Sequence, residues 1–391
     1  MSARRAWMSI ALVAWHVCHL PGQTTPTAGS QFRGTVDLIL GGGLEPGEDY
    51  LFGTVTGLFL DSHGVLYVGD ASTGSIRTYS DQGRFLRTIG QRGEGPGDFR
   101  APCCMTVDST GRFWIRDWRN NRYTAIELAP AVPRHSAVIR MPFPSGVPLS
   151  PPAWDAKGRL IHVARAQSGE NRGRLMRMFL SLDGEVTGQS LVPEILSSPR
   201  SQVIKKKSPS GGTAEIEILE PFSGYGLNAF SRNGDFLVGH TDAYDVTWYS
   251  SAGTKVRTLR RNVTGVPASE EERKEAENKL ASRAIELRVS RSALRMKVPR
   301  YKPPVGLLGF DLEGRAWVQL AVPQGQPNMA DVYASGGRLL GTYTWPANVT
   351  LYQFAVRGAV GIGVARDEYD TQTVVRVKFT PSGPTRPASK Q

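Results

Sequence analysis

The chain has 391 residues, 40% hydrophobic and 21% charged, which is enough apolar material for a large core and too much for wholesale disorder. Its 43 glycines and 26 prolines suit many short strands joined by turns and argue against an all-helical protein. Lys plus Arg number 47 against 35 for Asp plus Glu, a net charge of +12, yet the one basic run, Lys205-Lys206-Lys207, sits in a Ser/Pro/Gly stretch that reads as a loop, so nucleic acid is disfavoured as a partner.

At the start, Arg4 and Arg5 precede the apolar run from Ala6 to Trp15, and a Pro/Thr/Ser-rich stretch follows. That order predicts a secretory signal and linker over residues 1–28, and hence a periplasmic or extracellular protein. Lipid anchoring at Cys18 is the lesser alternative. The run is shorter than the roughly 20 residues a membrane helix needs, and no later segment is longer and equally apolar. Once the signal is removed only Cys103 and Cys104 remain, so no long-range disulfide framework is available. The adjacent pair reads either as a vicinal disulfide or, the favoured reading, as two buried thiols in an inward strand.

Residues 57 to 90 hold four short strands, with tight turns at Asp61-Ser62-His63-Gly64 and Ser80-Asp81-Gln82-Gly83. Glycine there supplies the positive φ, and Asp or Ser bonds the turn backbone. The phrase returns around Gly111, Gly158, Gly234, Gly314 and, degenerately, Gly358; from Gly64 onward the intervals are 47, 47, 76, 80 and 44 residues. One propeller blade takes about 40 to 50 residues. The spacing therefore predicts an all-β, six-bladed propeller over 32–383, with insertions at about 194–222 and 264–304 and a disordered tail at 384–391. Val36 to Gly41 matches Leu86 to Gly90, and Val374 to Phe379 ends the chain on a third strand. The N-terminal strand should thus close the ring by completing the last blade.

The second insertion predicts one helix, with a capping box of Ser269 and Glu272, an apolar stripe of Ala276, Leu280, Ile285 and Leu287, and an end at Pro303-Pro304. Both insertions interrupt blade-to-blade connections, so they should decorate the face that carries the loops between second and third strands.

Gly97-Asp98-Phe99-Arg100-Ala101-Pro102 leading into Val107-Asp108-Ser109-Thr110-Gly111, with Tyr67-Val68-Gly69-Asp70 upstream, resembles the NHL repeat. The phrase Gly93-Glu94-Gly95-Pro96-Gly97-Asp98-Phe99 is similar to that of secreted bacterial six-bladed propellers in the TolB-like superfamily. The resemblance is sharp over 53–123, fades beyond, and implies a fold rather than a function.

Six residues past each turn glycine the chain reaches the mouth of a second-to-third loop, at Asp70, Asp117, Ala164, His240 and Leu320. Asp70, Asp117 and His240 are candidate ligands for Ca²⁺ or Zn²⁺, or an acid/base set; the competing reading has each Asp bonding the backbone of its own loop. Beside them, Asp117, Trp118, Arg119, Asn120 and Arg122 form a cluster suited to gripping an anionic or sugar-like ligand. No His-Glu-x-x-His, Gly-x-Ser-x-Gly or Walker sequence is present. The expected function is an exported scaffold that binds a protein, peptide or glycan on the decorated face. The alternative is a metal-dependent hydrolase or lyase of the lactonase-like propeller type.

Overall fold

The computed structural model describes residues 30–43, 47–128, 134–142, 152–193, 200–207 and 212–382. The expected signal segment and tail lie outside the described residues. Strand β1 (Gln31–Leu40) precedes a first four-stranded sheet of β2 (Val55–Leu60), β3 (Leu66–Asp70), β4 (Ser75–Tyr79) and β5 (Phe85–Ile89). The second sheet comprises β6 (Pro102–Val107), β7 (Phe113–Asp117), β8 (Arg122–Glu127) and β9 (Arg134–Arg140), and the third β10 (Ala153–Trp154), β11 (Leu160–Arg165), β12 (Leu175–Leu180) and β13 (Val186–Leu191). A hairpin of β14 (Ser201–Lys207) and β15 (Thr213–Leu219) intervenes. The fourth sheet follows, as β16 (Gly226–Phe230), β17 (Phe236–His240), β18 (Ala243–Tyr249) and β19 (Lys255–Arg260).

Beyond it, β20 (Val266–Pro267) and β21 (Tyr301–Lys302) bracket helix α1 (Glu270–Leu287). The chain ends in β22 (Val305–Phe310), β23 (Ala316–Leu320), β24 (Asn328–Tyr333), β25 (Leu339–Trp345), β26 (Val349–Thr350), β27 (Val356–Arg357), β28 (Val360–Arg366) and β29 (Gln372–Ser382). The architecture is all-β and propeller-like.

The turn chemistry explains the repetition. Gly64, Gly111, Gly158, Gly234, Gly314 and Gly358 all have positive φ, between 57° and 84°. In four of these turns one carboxylate oxygen accepts the N–H groups two and four residues on: Asp61 from His63 and Val65, Asp108 from Thr110 and Arg112, Asp155 from Lys157 and Arg159, Asp311 from Glu313 and Arg315. In the second sheet and at β22–β23 the other oxygen receives an indole N–H, from Trp114 and Trp317, each at 2.8 Å. Each turn thereby pins a buried aromatic, and these aromatics fill the space between neighbouring sheets.

Separate four-stranded sheets number four, not the six that the glycine spacing predicts; the strands expected to form the rest run together as one nine-stranded sheet, ordered β22-β23-β24-β25-β1-β29-β28-β26 with β27 also on β28. The cause is β1, which has a partner on both sides. It pairs antiparallel with β29, from Gln31 opposite Ser382 to Leu40 opposite Val374, while Gln31, Phe32 and Arg33 also pair in parallel with Thr342, Tyr343 and Thr344 of β25.

Four packing clusters join these layers. One joins the first sheet to the second (Phe59, Tyr67, Phe113) and another the second, third and fourth (Trp114, Leu160, Phe236). The fourth sheet meets β22–β24 through Leu237, Trp248 and Phe310, and the first meets β28 and β29 through Leu58, Val364 and Val374.

Four local expectations are corrected. Lys205-Lys206-Lys207 is not a loop but the end of β14, paired through to Lys207 opposite Thr213 of β15, with Lys205 2.9 Å from Glu215 across the hairpin and Ile204 packed toward the helix. On α1 the buried stripe is Ala276, Leu280, Ala284 and Leu287, leaving Ile285 76% exposed. The helix ends at Arg288, whose left-handed φ of 53° stops it well before the prolines. Cys103 and Cys104 are joined by a disulfide. A regular strand points successive side chains to opposite faces, but β6 shifts register between Cys103 and Thr106, and Cys104 takes a φ of 56°. Both sulfurs therefore fall on the same side.

Candidate functional site

Antiparallel pairing brings the start of each first strand, the end of each second and the loop to the third to one end of the sheets. Val55 lies opposite Asp70, and Asp70 opposite Ser75. At this end both candidate aspartates turn inward to their own sheet. Asp70, fully buried, accepts from the N–H groups of Gly53, Thr54 and Ser72 and from the Ser72 hydroxyl, at 2.6 to 3.1 Å. Burial alone would push its carboxyl up; the Ser72 hydroxyl and the three N–H donors outweigh that and hold it below the usual carboxylate range. Asp117 repeats the device, accepting from the N–H groups of Arg100 and Ala101 and from the Asn120 amide at 2.7 to 3.3 Å. In both sheets two of the backbone donors stand 16 and 17 residues upstream of the carboxylate. Each aspartate is a clamp on the segment entering its sheet.

His240 occupies the matching corner of the fourth sheet, but Thr241 makes the clamp there, its hydroxyl accepting from Tyr225 N–H at 2.9 Å. The His240 Nδ1 accepts from the Asp242 N–H at 3.2 Å and stands 3.7 Å from its carboxylate. This places the neutral ring's proton on Nε2, which is buried without a partner. Among the described residues no group of three or more His, Cys, Asp or Glu is arranged to hold a metal ion.

The polar cluster after Asp117 divides in two. Asn120 also donates to Gly93 O, and Arg122 forks onto the carbonyls of Glu94, Gly95 and Asp98 at 2.7 to 2.9 Å, so these two side chains hold the glycine-rich loop 90–98 in place. Trp118, 43% exposed, and Arg119 point away from the fold, with the guanidinium 5.2 Å from the indole centroid. Arg119 has no carboxylate partner among the described residues.

No family model matches the chain. No curated protein matches it either. Solved structures similar to it include a Bacteroides fragilis protein described as exported, at 10% identity over 90% of this chain and 99% of that one, TM-score 0.47. Virginiamycin B lyase from Staphylococcus aureus is similar at 11% identity over 89% and 99%, TM-score 0.43. Regucalcin, a calcium-binding protein from Agrobacterium tumefaciens, is similar at 12% identity over 89% and 96%, TM-score 0.35. At scores this low none of them carries function to this chain, and the propeller-like arrangement rests on the strand pairings themselves.

The same end of the sheets exposes aromatics that the six-residue offset from the turn glycines does not reach. Tyr225 enters β16, Tyr301 lies in β21 just ahead of β22, and Tyr369 tips the loop from β28 to β29; they are 52%, 54% and 82% exposed. Each is a large ring at a polar strand end. That mismatch, an aromatic where burial cannot reward it, is the sequence signal that could have found them. No described helix is long and apolar enough to cross a membrane.

Proposed function

We propose that the protein is a binding scaffold whose loop-bearing end recognises a glycan, peptide or protein surface carrying anionic groups. The observation that carries this reading is the set of outward rings, Trp118, Tyr225, Tyr301 and Tyr369, at one end of the sheets, joined by Arg119, which has no carboxylate partner among the described residues. Flat rings stack on sugar faces and peptide planes, and a stacked guanidinium adds a fork for carboxylate or sulfate. The carboxylates best placed for chemistry, Asp70 and Asp117, are meanwhile consumed by backbone N–H groups.

The test is retention of the purified protein on immobilised uronic-acid oligosaccharides and acidic peptides. Trp118→Ala and Tyr369→Ala should each weaken retention about tenfold without moving the unfolding midpoint. Failure to bind either class would overturn the reading. So would turnover of a lactone, phosphoester or peptide substrate that disappears in a His240→Ala variant. That second outcome belongs to the metal-dependent hydrolase or lyase reading with Ca²⁺ or Zn²⁺.

We further propose that 32–383 is one six-bladed ring of the NHL and TolB-like kind. In this reading the nine-stranded sheet counts as two blades, β22–β25 and β26–β29 with β1. Support comes from the matching Asp-and-Gly turns and from the packing of both ends of that sheet against the fourth and first sheets. We also read the Arg4-Arg5 and apolar run as an export signal. Mass analysis of the processed N-terminus, expected between Gly22 and Ala28, tests that part.

A further inference from the structure

Most carboxylates of α1 already have cationic partners. Glu272 is taken by Lys302 and the Ser269 N–H, Glu275 by Lys279, Glu277 by Arg291 and Glu286 by Arg283. What remains is an excess of cations on one flank. Arg273 and Lys274 on α1, and Lys297 and Arg300 on the segment returning from it, are exposed and have no carboxylate partner among the described residues. These four side chains line an open groove of about 950 Å³ between the first turns of α1 and residues 296–300.

The lining also carries two carboxylates, and neither answers those cations. Glu277 is held by two nitrogens of Arg291, at 2.8 and 2.9 Å, and Glu270 sits in the first helical turn, where the helix dipole favours an anion. The same dipole disfavours Arg273 and Lys274. Cations stabilise a last turn, and that of α1 has none. Helix stability therefore does not explain where these two stand, and the repulsion of four like charges around one concavity is relieved by a bound anion.

The wall opposite α1 offers main-chain groups as well. Met296 and Val298 pack inward with Leu280 and Leu287, leaving Lys297 exposed between them. Tyr301 pairs with Pro267, and Arg300 O accepts the Ala268 N–H, but there the pairing stops: neither the N–H nor the C=O of Val298 has a partner among the described residues. Unpaired main chain flanked by cations suits an extended peptide, which can bond along the segment while its carboxylates reach the walls. The described lining holds no aromatic ring to stack on a sugar face. We propose that this groove docks an acidic, extended peptide segment of a partner protein, its backbone along Val298 and its carboxylates on Arg273, Lys274, Lys297 and Arg300. The site belongs to the inserted unit and does not rest on the reading of the ring-bearing end.

The test is fluorescence anisotropy of a labelled peptide alternating Glu and Val, titrated with the purified protein at low salt. Lys274→Glu combined with Arg300→Glu should weaken binding about tenfold or more without moving the unfolding midpoint, since both side chains are exposed and unpaired. Lys207→Glu, which reverses an exposed cation on the hairpin, and Trp118→Ala should leave binding unchanged. No binding of the peptide overturns the proposal, and so does an equal loss in Lys207→Glu, which would mean attraction to net charge alone. Loss in Trp118→Ala but not in the double variant gives the peptide to the ring-bearing end, overturning this site and leaving that reading intact. A uronic-acid oligosaccharide or phosphatidylglycerol vesicles that displace the label as well as unlabelled peptide does would also remove it. Should the double variant fail to fold, hydrogen exchange of the parent decides: added peptide slows exchange of the Lys297 and Val298 amides if the groove is the site, and unchanged exchange there refutes it.

Discussion

Asp117, fully buried, accepts two adjacent backbone N–H groups and one side-chain amide. Truncation leaves those donors unsatisfied, and each buried orphan costs about 1–3 kcal/mol. Asp117→Ala should therefore lower stability by about 3 kcal/mol, measured by urea unfolding, with any ligand affinity lost only through unfolding. An unchanged urea midpoint together with lost binding would make the residue a ligand contact instead. His162 is the other residue whose environment sets a measurable property. It is fully buried and shares a 2.9 Å hydrogen bond with the Tyr123 hydroxyl. Burial, then the charge of Arg116, brings its pKa from 6.5 down to about 4. Between those values the unfolded chain binds a proton that the folded chain refuses, so the stabilisation is complete above 6.5 and drains as pH falls toward 4. The loss reaches about 3 kcal/mol. Unfolding free energies at pH 7 and pH 4.5 should differ less in His162→Gln than in the parent; equal differences would remove His162 from the acid response.

Among the elements, the two insertions behave as one unit. Ile218 of β15 and Ile204 of β14 pack with Leu280, Ala284 and Leu287 of α1 and with Leu294 and Met296 beyond it, a cluster separate from those between the sheets. Leu280→Ser should loosen this unit alone. Limited proteolysis is expected to cut first within 200–222 or 264–300, leaving the sheets protected, whereas uniform cleavage along the chain would mean that the unit is integral to the core. The capping box of Ser269 and Glu272 was legible from its spacing and is formed, with hydrogen bonds of 3.1 and 2.8 Å. The choice of Ala284 over Ile285 was not legible. Hydrophobicity favours Ile285 in a one-dimensional reading, but the hairpin lies against the other side of the helix, and a partner distant in sequence decides which stripe is dry.

Over the whole molecule, β1 is the piece with most leverage. It covers β29 along nearly its full length and bridges to β25. Removing residues 30–43 should bare the edge of β29 and lower the unfolding midpoint by about 10 °C or more, with aggregation seen by light scattering. A shortened chain that stays monomeric and equally stable would show that the pairing is dispensable.

The repeat of turn glycines and aspartates, the short strands between them, and the pairing of residues 36–40 with 374–379 were legible in the sequence, because turn geometry and strand alternation act within a few residues of themselves; the shift between Val36 and Leu38 that sets the exact register was not. Tertiary structure alone decided how many sheets stay separate, which aspartates are spent as clamps, that the two sulfurs join, and that the Arg232 guanidinium of the fourth sheet lies over the Phe59 ring of the first. Those outcomes depend on which side chains from distant strands arrive together and on how much water is left between them, and no linear spacing encodes that.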